Sequence, residues 1–395
     1  DANVRIAATQ ALGGLGGSDA VEKLVLIARD TARPLVERDA AVRAVLGLEP
    51  SRGIAEASQW AGSESWLERW YAARAVAAGQ WHDVAALVRQ LAEDRDGRVA
   101  AAAIRASSSL TDSVTAPYTL YVQALASSDV AVRAAAAEGL GRRGSPADLG
   151  ILLEAYDRAQ SDRANHAALA ALDALAALDV EGVPVSRSFF LRFEPSPDAE
   201  VRRRVAQYFG ADAWGDPGTR GAADRGPAFY ERIVRMLVAP DLAYQDRPQV
   251  TVRTAAGTIV IELAAARAPL TVHNFITLAR SGYYPTRAEP GPTPLRWHRV
   301  VPNFVIQDGD PSGGGSGGPG YAIRDEINPL RFGRGVVGMA LSGPDTGGSQ
   351  YFITHSPQPQ LDGGYTAFGR VVAGMDVVDR VVQDDPIHSI EIVLP

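Results

Sequence analysis

Along the first half of the chain, apolar residues return every three or four positions; from residue 249 onward they alternate every second one. The change of period divides the sequence. From 1 to about 210, Ala, Leu, Val and Arg fall at helical spacing between short breaks. The opening DANVRIAATQALGGLG recurs loosely in VERDAAVRAVLGL (36–48), LERWYAARAVAA (67–78), GRVAAAAIRASSSL (97–110), SSDVAVRAAAAEGLGRRG (127–144), SDRANHAALAALDALAAL (161–178) and SPDAEVRRRVAQYFG (196–210). Aligned, these segments put Arg5, Arg38, Arg69, Arg98, Arg133, Asn165 and Arg202 in register, at intervals of 33, 31, 29, 35, 32 and 37 residues. Each interval holds two helices and two turns, the unit from which a helical solenoid is built. Asp1, Asp129 and Asp198 are placed to cap helix N-termini, and Gly13, Gly141 and Gly210 suit left-handed C-terminal turns. Paired small residues such as Ala135 and Ala136 allow neighbouring helices to approach closely.

The pattern resembles HEAT-like repeats; an irregular Ala-rich helical bundle is the alternative. Because Asp1 falls at the second helix of a unit, either further chain upstream or another cover is expected over that end. Trp60, Trp66, Trp70 and Trp81 are read as packing between repeats, with a binding patch as the rival reading.

Turn chemistry fills 211–227, and AFYERIVRMLVA (228–239) predicts one amphipathic helix with Phe229, Ile233, Met236 and Leu237 on its apolar face. After a linker at 240–248, QVTVRT (249–254) and GTIVIELA (257–264) predict a β-hairpin. APLTVHNFITLARSG predicts a helix with the stripe Val272, Phe275, Ile276 and Ala279, ending near Gly282. Short strands, a helix near 374–382 and a closing strand follow, which together predict a closed barrel. The expected domains are a helical solenoid (1–210), a connecting segment with one helix (211–248) and a mainly-β barrel (249–395).

Composition narrows the partners. The 395 residues carry a net charge of −7 with no basic cluster, which disfavours nucleic acid. No apolar run is long enough to span a bilayer. The chain has no cysteine, excluding disulfides, thiol nucleophiles and Cys-based zinc sites. Lys23 is the lone lysine among 39 basic residues, which we read as the coding bias of a bacterial source. The abrupt start inside a helical pattern suggests that a leader was removed, favouring the periplasm or cell envelope over the cytoplasm.

WHRVVPNFVIQDGD (297–310) then poses a specific question, because Arg299 stands as a lone charge in an apolar run. Together with GVVGMALSGPDTGGSQYFIT (335–354) and LDGGYTAFGRVVAGMDVVDRV (361–381), this stretch resembles the signature blocks of the cyclophilins, peptidyl-prolyl cis–trans isomerases. The resemblance implies an eight-stranded antiparallel barrel closed by two helices, with a substrate groove on its outer face. It implies that Arg299 engages the prolyl amide, that Gln307 anchors the substrate carbonyl, and that Phe304, Val305, Phe352 and Leu361 receive the proline ring. Gln350 is a second polar groove residue, and Ala340 and Leu341 form the wall that binds the residue before proline. Gln360 stands where many members have tryptophan, and Tyr365 where many have histidine, a change that keeps an aromatic wall. Neither cofactor nor metal is implied. The expected partners are proline-containing protein clients, plus a protein partner docked through the solenoid. A non-catalytic scaffold that grips proline-containing loops is the competing reading.

Three further features receive plain readings. SGGGSGGPG (312–320) lacks the Lys-Ser/Thr ending of a nucleotide loop and is expected to be a flexible surface turn. His298 is expected to be a structural strand residue, since isomerisation moves no proton, and PTRAEPGPTPLR (285–296) a surface loop. Positions 299 and 304 lie on opposite faces of an unbroken strand, so Pro302 and Asn303 are expected to bend or bulge the chain.

Overall fold

The computed structural model describes residues 2–110, 117–162, 164–180, 185, 187–196, 198–210, 214, 226–238, 247–284, 295–311, 313–315 and 317–393. The expected Asp1 cap, most of the 211–248 connector and residues 285–294 of the long loop lie outside that set. The chain divides into two compact units, one of residues 1–162 and 166–189, the other of residues 163–165 and 190–395.

The first unit is helical. Its helices are α1 (Ala2–Leu15), α2 (Ser18–Arg29), α3 (Leu35–Leu48), α4 (Pro50–Ala61), α5 (Trp66–Ala75), α6 (Trp81–Ala92), α7 (Gly97–Ser107), α8 (Tyr118–Leu125), α9 (Val130–Arg143), α10 (Leu149–Ala159) and α11 (His166–Val180). Each odd-numbered helix packs on the next odd one, from α1 to α11. Alanine makes this stacking possible: Ala41, Ala72, Ala73, Ala103 and Ala135 are fully buried between neighbours. Trp60, Trp70 and Trp81 are buried in the same core, and the Arg98 guanidinium lies 3.4 Å from the Trp66 ring centre.

The register residues have a shared task. Arg38, Arg69, Arg98, Arg133, Asn165 and Arg202 are all buried. Arg69 donates to the carbonyls of Ser63 and Glu64, at the turn before its own helix, and reaches Asp94 at 2.7 Å. Arg133 repeats this with Ser127, Ser128 and Asp162. A buried guanidinium needs such full pairing, because an unmatched charge in a core is strongly destabilising.

Asp129 accepts from the N–H groups of Ala131 and Val132, and Asp198 from Val201, so both cap as expected. Two of the expected glycine caps are corrected. Gly13 and Gly141 lie inside α1 and α9, and Gly144, at φ 61°, ends α9 instead. The missing side chains permit close helix approach: a Cβ on Gly141 would sit 2.8 Å from the Ala174 backbone.

The second unit contains α12 (Ala199–Phe209), α13 (Pro227–Leu237), α14 (Pro269–Arg280) and α15 (Met375–Arg380). Its strands are β1 (Gln249–Thr254), β2 (Gly257–Leu263), β3 (Leu295–Arg296), β4 (Arg299–Val301), β5 (Val305–Asp308), β6 (Val336–Met339), β7 (Tyr351–Thr354), β8 (Ala367–Ala373) and β9 (Pro386–Val393). They form one antiparallel half-barrel in the order β3-β9-β1-β2-β8-β6-β7-β5-β4. This corrects the closed eight-stranded barrel. The two edge strands β3 and β4 are consecutive pieces of one stretch, separated by Trp297 and His298. Trp297 turns aside to pair with the β9 approach, donating to the Asp385 carbonyl and accepting from Asp384 N–H.

Inside the sheet lies one apolar core that includes Val252, Ile261, Phe275, Tyr284, Trp297, Tyr351 and Phe368. The predicted α14 stripe of Val272, Phe275, Ile276 and Ala279 is buried there. On α13, Ile233 and Leu237 join this core, but Met236 faces solvent, so the apolar face is narrower than expected. No helix among the described residues is long and apolar enough to cross a membrane.

Candidate active site

On the outer side of the sheet, β4 and β5 form a tight hairpin. Pro302 and Asn303 turn the chain, with Asn303 at φ 59° and Phe304 N–H bonded to the Val301 carbonyl. The expected bend is therefore a full reversal, which sets Arg299 directly opposite Gln307.

The exposed Arg299 donates through Nη1 to Gln307 Oε1 at 3.0 Å, and Gln307 Nε2 donates to Gln350 Oε1 at 3.0 Å. Gln350 in turn donates to the carbonyls of Gly315 and Gly317. The side-chain Oδ2 of Asp310 accepts from the N–H groups of those same two glycines. The glycine-rich segment is thus pinned at four points instead of hanging as a free surface turn. Its glycines take backbone angles, such as φ 79° at Gly315, that let both peptide faces bond.

Beside this polar row lies a cavity of about 300 Å³, lined by Arg299, Phe304, Val305, Gln307, Ala340, Leu341, Phe352, Leu361 and Tyr365. These are nine of the ten residues picked out in the sequence. The tenth, Gln350, lines the adjoining depression with Gln307, Ala340 and Leu341. Val305, Phe352 and Leu361 form a small apolar cluster separate from the main core, with Phe304, Ala340 and Tyr365 packed at its edge. The Arg299 guanidinium carbon lies 5.5 Å from the Phe304 ring centre, held over an aromatic face. Tyr365 meets Phe352 edge-on at 5.7 Å and so supplies the aromatic wall. Gln360 is exposed and bonds Gln358 at 2.7 Å, turned to its own loop.

Sequence reading missed Phe332. It is buried and stacks under Phe352 at 5.6 Å, forming the rear of the apolar floor. Its signal was one aromatic residue in a turn-rich stretch, where no period marks a core position. Asp362 anchors it by accepting the Phe332 N–H; that bond, together with Arg331, holds the carboxyl below its usual range. Behind the polar row, His298 is buried with Nδ1 3.5 Å from Asp308 Oδ1. Burial pushes the Asp308 carboxyl up to about 6, against the opposing effect of the imidazole.

Chemically, the site offers a fixed cationic donor beside an apolar slot the size of a small ring, and amide groups to hold a backbone. It sets no acid–base pair facing that slot.

Comparison with known proteins agrees with this geometry. Residues 249–393 match the family described as cyclophilin type peptidyl-prolyl cis-trans isomerase/CLD. The chain is 43% identical over 169 residues to peptidyl-prolyl cis-trans isomerase-like 1 of Homo sapiens, covering 40% of this chain and 96% of that one. It is 43% identical over 156 residues to an Arabidopsis thaliana peptidyl-prolyl cis-trans isomerase (37% and 90%). A Helicobacter pylori peptidyl-prolyl cis-trans isomerase is 42% identical over 144 residues (35% and 83%). A crystal structure of a Cryptosporidium parvum cyclophilin type peptidyl-prolyl cis-trans isomerase, determined in the presence of the dipeptide Ala-Pro, shares 33% identity, covers 37% of this chain and 99% of that one, and gives a TM-score of 0.33. Relatives thus include eukaryotic proteins, so the similarity leaves the source of the chain open.

Proposed function

We infer the working of the groove from one premise: through residues 249–393 the chain belongs to the cyclophilin-type peptidyl-prolyl cis–trans isomerases. It is an isomerase that turns X–Pro peptide bonds. Rotation about that bond is resisted by amide resonance, with a barrier of about 18–20 kcal/mol. Twisting frees the nitrogen lone pair, so a donor aimed at the prolyl nitrogen binds the twisted state better than the planar one. Arg299 takes this role, because its guanidinium stays charged at any physiological pH and is already oriented by Gln307 and Phe304.

The proline ring sits in the slot of Phe304, Val305, Phe352 and Leu361, Gln307 holds the substrate carbonyl, and Gln350 keeps Gln307 in place. The backbone at Ala340 and Leu341 takes the residue before proline, with Tyr365 at the rim. Apolar walls exclude water from one side of Arg299 and strengthen its bond to the substrate. The observation that carries this reading is the alignment of Arg299, Gln307 and Gln350 along one edge of the apolar cavity. A Gln307→Ala chain tests it: kcat/KM for an Ala-Pro peptide falls about tenfold while the fold is kept, and an unchanged value refutes the assigned grip.

The helical half, read as a HEAT-like solenoid over 1–210 and joined by 211–248 to the isomerase domain, docks clients or a partner protein. The repeated turn-clamping arginines support the repeat reading. Docking predicts a higher kcat/KM for an unfolded protein client than for a short peptide of the same X–Pro sequence; equal values refute it.

A further inference from the structure

At the seam where the half-barrel's two edge strands meet, His298 links β3 to β4, and its ring lies inside, 3.5 Å from Asp308. These two residues continue the β4–β5 ladder by one step beyond Arg299 and Gln307. Strand β4 is three residues long and bonded on one side only. Its other hold at the Arg299 end is therefore the interior contact of His298. Neither ring nitrogen of His298 makes a hydrogen bond, and 3.5 Å is longer than one, so charge attraction carries the contact. Both side chains are almost wholly buried, where water screens such attraction weakly.

Resting on the isomerase reading of Arg299, we propose that the His298–Asp308 pair is a positioning device for Arg299 and Gln307, and that turnover falls when Asp308 takes up a proton. A neutral Asp308 no longer draws the imidazole inward, and β4 loses its anchor one residue from the guanidinium. Gln307, next to Asp308 on β5, loses its matched partner at the same time.

Other groups face this pair from each neighbouring element. Tyr351 on β7 is the cross-strand partner of Asp308, and Tyr284 lies beyond α14. Burial holds both phenols well above their usual value, so neither titrates in the working range. Asp310, in the glycine-rich segment, raises Asp308 slightly and is itself bonded to Gly315 and Gly317. Arg296, beside the seam, pairs with Asp384. Asp385, whose carbonyl receives Trp297, is also pushed up to about 6 by burial and is the group to control for.

The test is the pH profile of kcat and KM for the full chain, read by NMR exchange on an uncharged Ala-Pro peptide between pH 4.5 and 8. The wild type is expected to lose at least fivefold in kcat with a midpoint near 6 and little change in KM. Asp308→Asn is expected to be flat and low, whereas Asp385→Asn keeps the acid limb. The Arg299 Nε–H and Gln307 side-chain amide signals of the wild type should shift with the same midpoint, which decides the matter even where a variant fails to fold. A wild-type kcat constant within twofold, an acid limb retained in Asp308→Asn, or Arg299 and Gln307 signals insensitive to pH would each overturn the proposal. Activity of the wild type at pH 7.5 tests the isomerase reading separately.

Discussion

Replacing Asp308 by Asn separates what this residue gives to function from what it takes from stability. A free aspartate titrates near 3.9, and burial in the half-barrel raises Asp308 to about 6. The proton is thus held more tightly in the folded chain than in the unfolded one. Below about pH 4 both states are protonated and the fold has its full stability; as pH rises through about 6, the folded carboxyl must ionise in a dry site and stability is lost. Two pH units at 1.36 kcal/mol each make the loss about 3 kcal/mol by pH 8. Asparagine cannot ionise. The Asp308→Asn chain should therefore be more stable than wild type by about 3 kcal/mol at pH 8, and nearly equal to it at pH 4. Amide hydrogen exchange of β5 and β7 reads this locally and avoids the helical unit. A stability difference that does not change with pH would refute the buried-carboxylate reasoning. The same substitution should lower turnover, so a more stable, less active protein is the joint expectation.

Other consequences are equally direct. Gly141→Ala gains up to about 1 kcal/mol of helix propensity but drives a methyl into the Ala174 backbone, so a net destabilisation of about 1–2 kcal/mol is expected in thermal unfolding. Gly14→Ala, where nothing lies within 4 Å, should stabilise and serves as the control. Phe332→Ala removes a buried ring from under Phe352, so it should cost about 3–5 kcal/mol in chemical denaturation and raise KM for proline peptides.

Much of the site was legible because its residues are fixed by local chemistry at short range. Arg299, Phe304 and Gln307 belong to one hairpin, and the odd spacing between the first two demanded the turn that Pro302 and Asn303 make. The α14 stripe was equally readable, since an amphipathic period reports which face meets the core. What stayed hidden depends on partners distant in sequence. Phe332 looks like any aromatic residue in a loop until Phe352 is placed above it. The glycine-rich segment reads as slack until Asp310 and Gln350 bind its two peptide faces. Gly141 looked like a cap because the helix it ends and the helix it touches leave the same mark on a single segment. The open sheet in place of a closed barrel arises from two residues, Trp297 and His298, whose side chains fit a strand while their backbone leaves it. The arginine register was visible from spacing alone, but its task of clamping the preceding turn was not.

The most direct measurement is the rate of cis–trans exchange of an Ala-Pro peptide, followed by NMR at pH 7.5 with wild-type and Arg299→Ala chains. Loss of one oriented donor in a partly dry site should raise the barrier by about 3–4 kcal/mol, a fall of 100- to 1,000-fold in kcat. The spectrum of the folded sheet should otherwise be kept. Wild-type exchange retained in Arg299→Ala would contradict catalysis centred on that guanidinium.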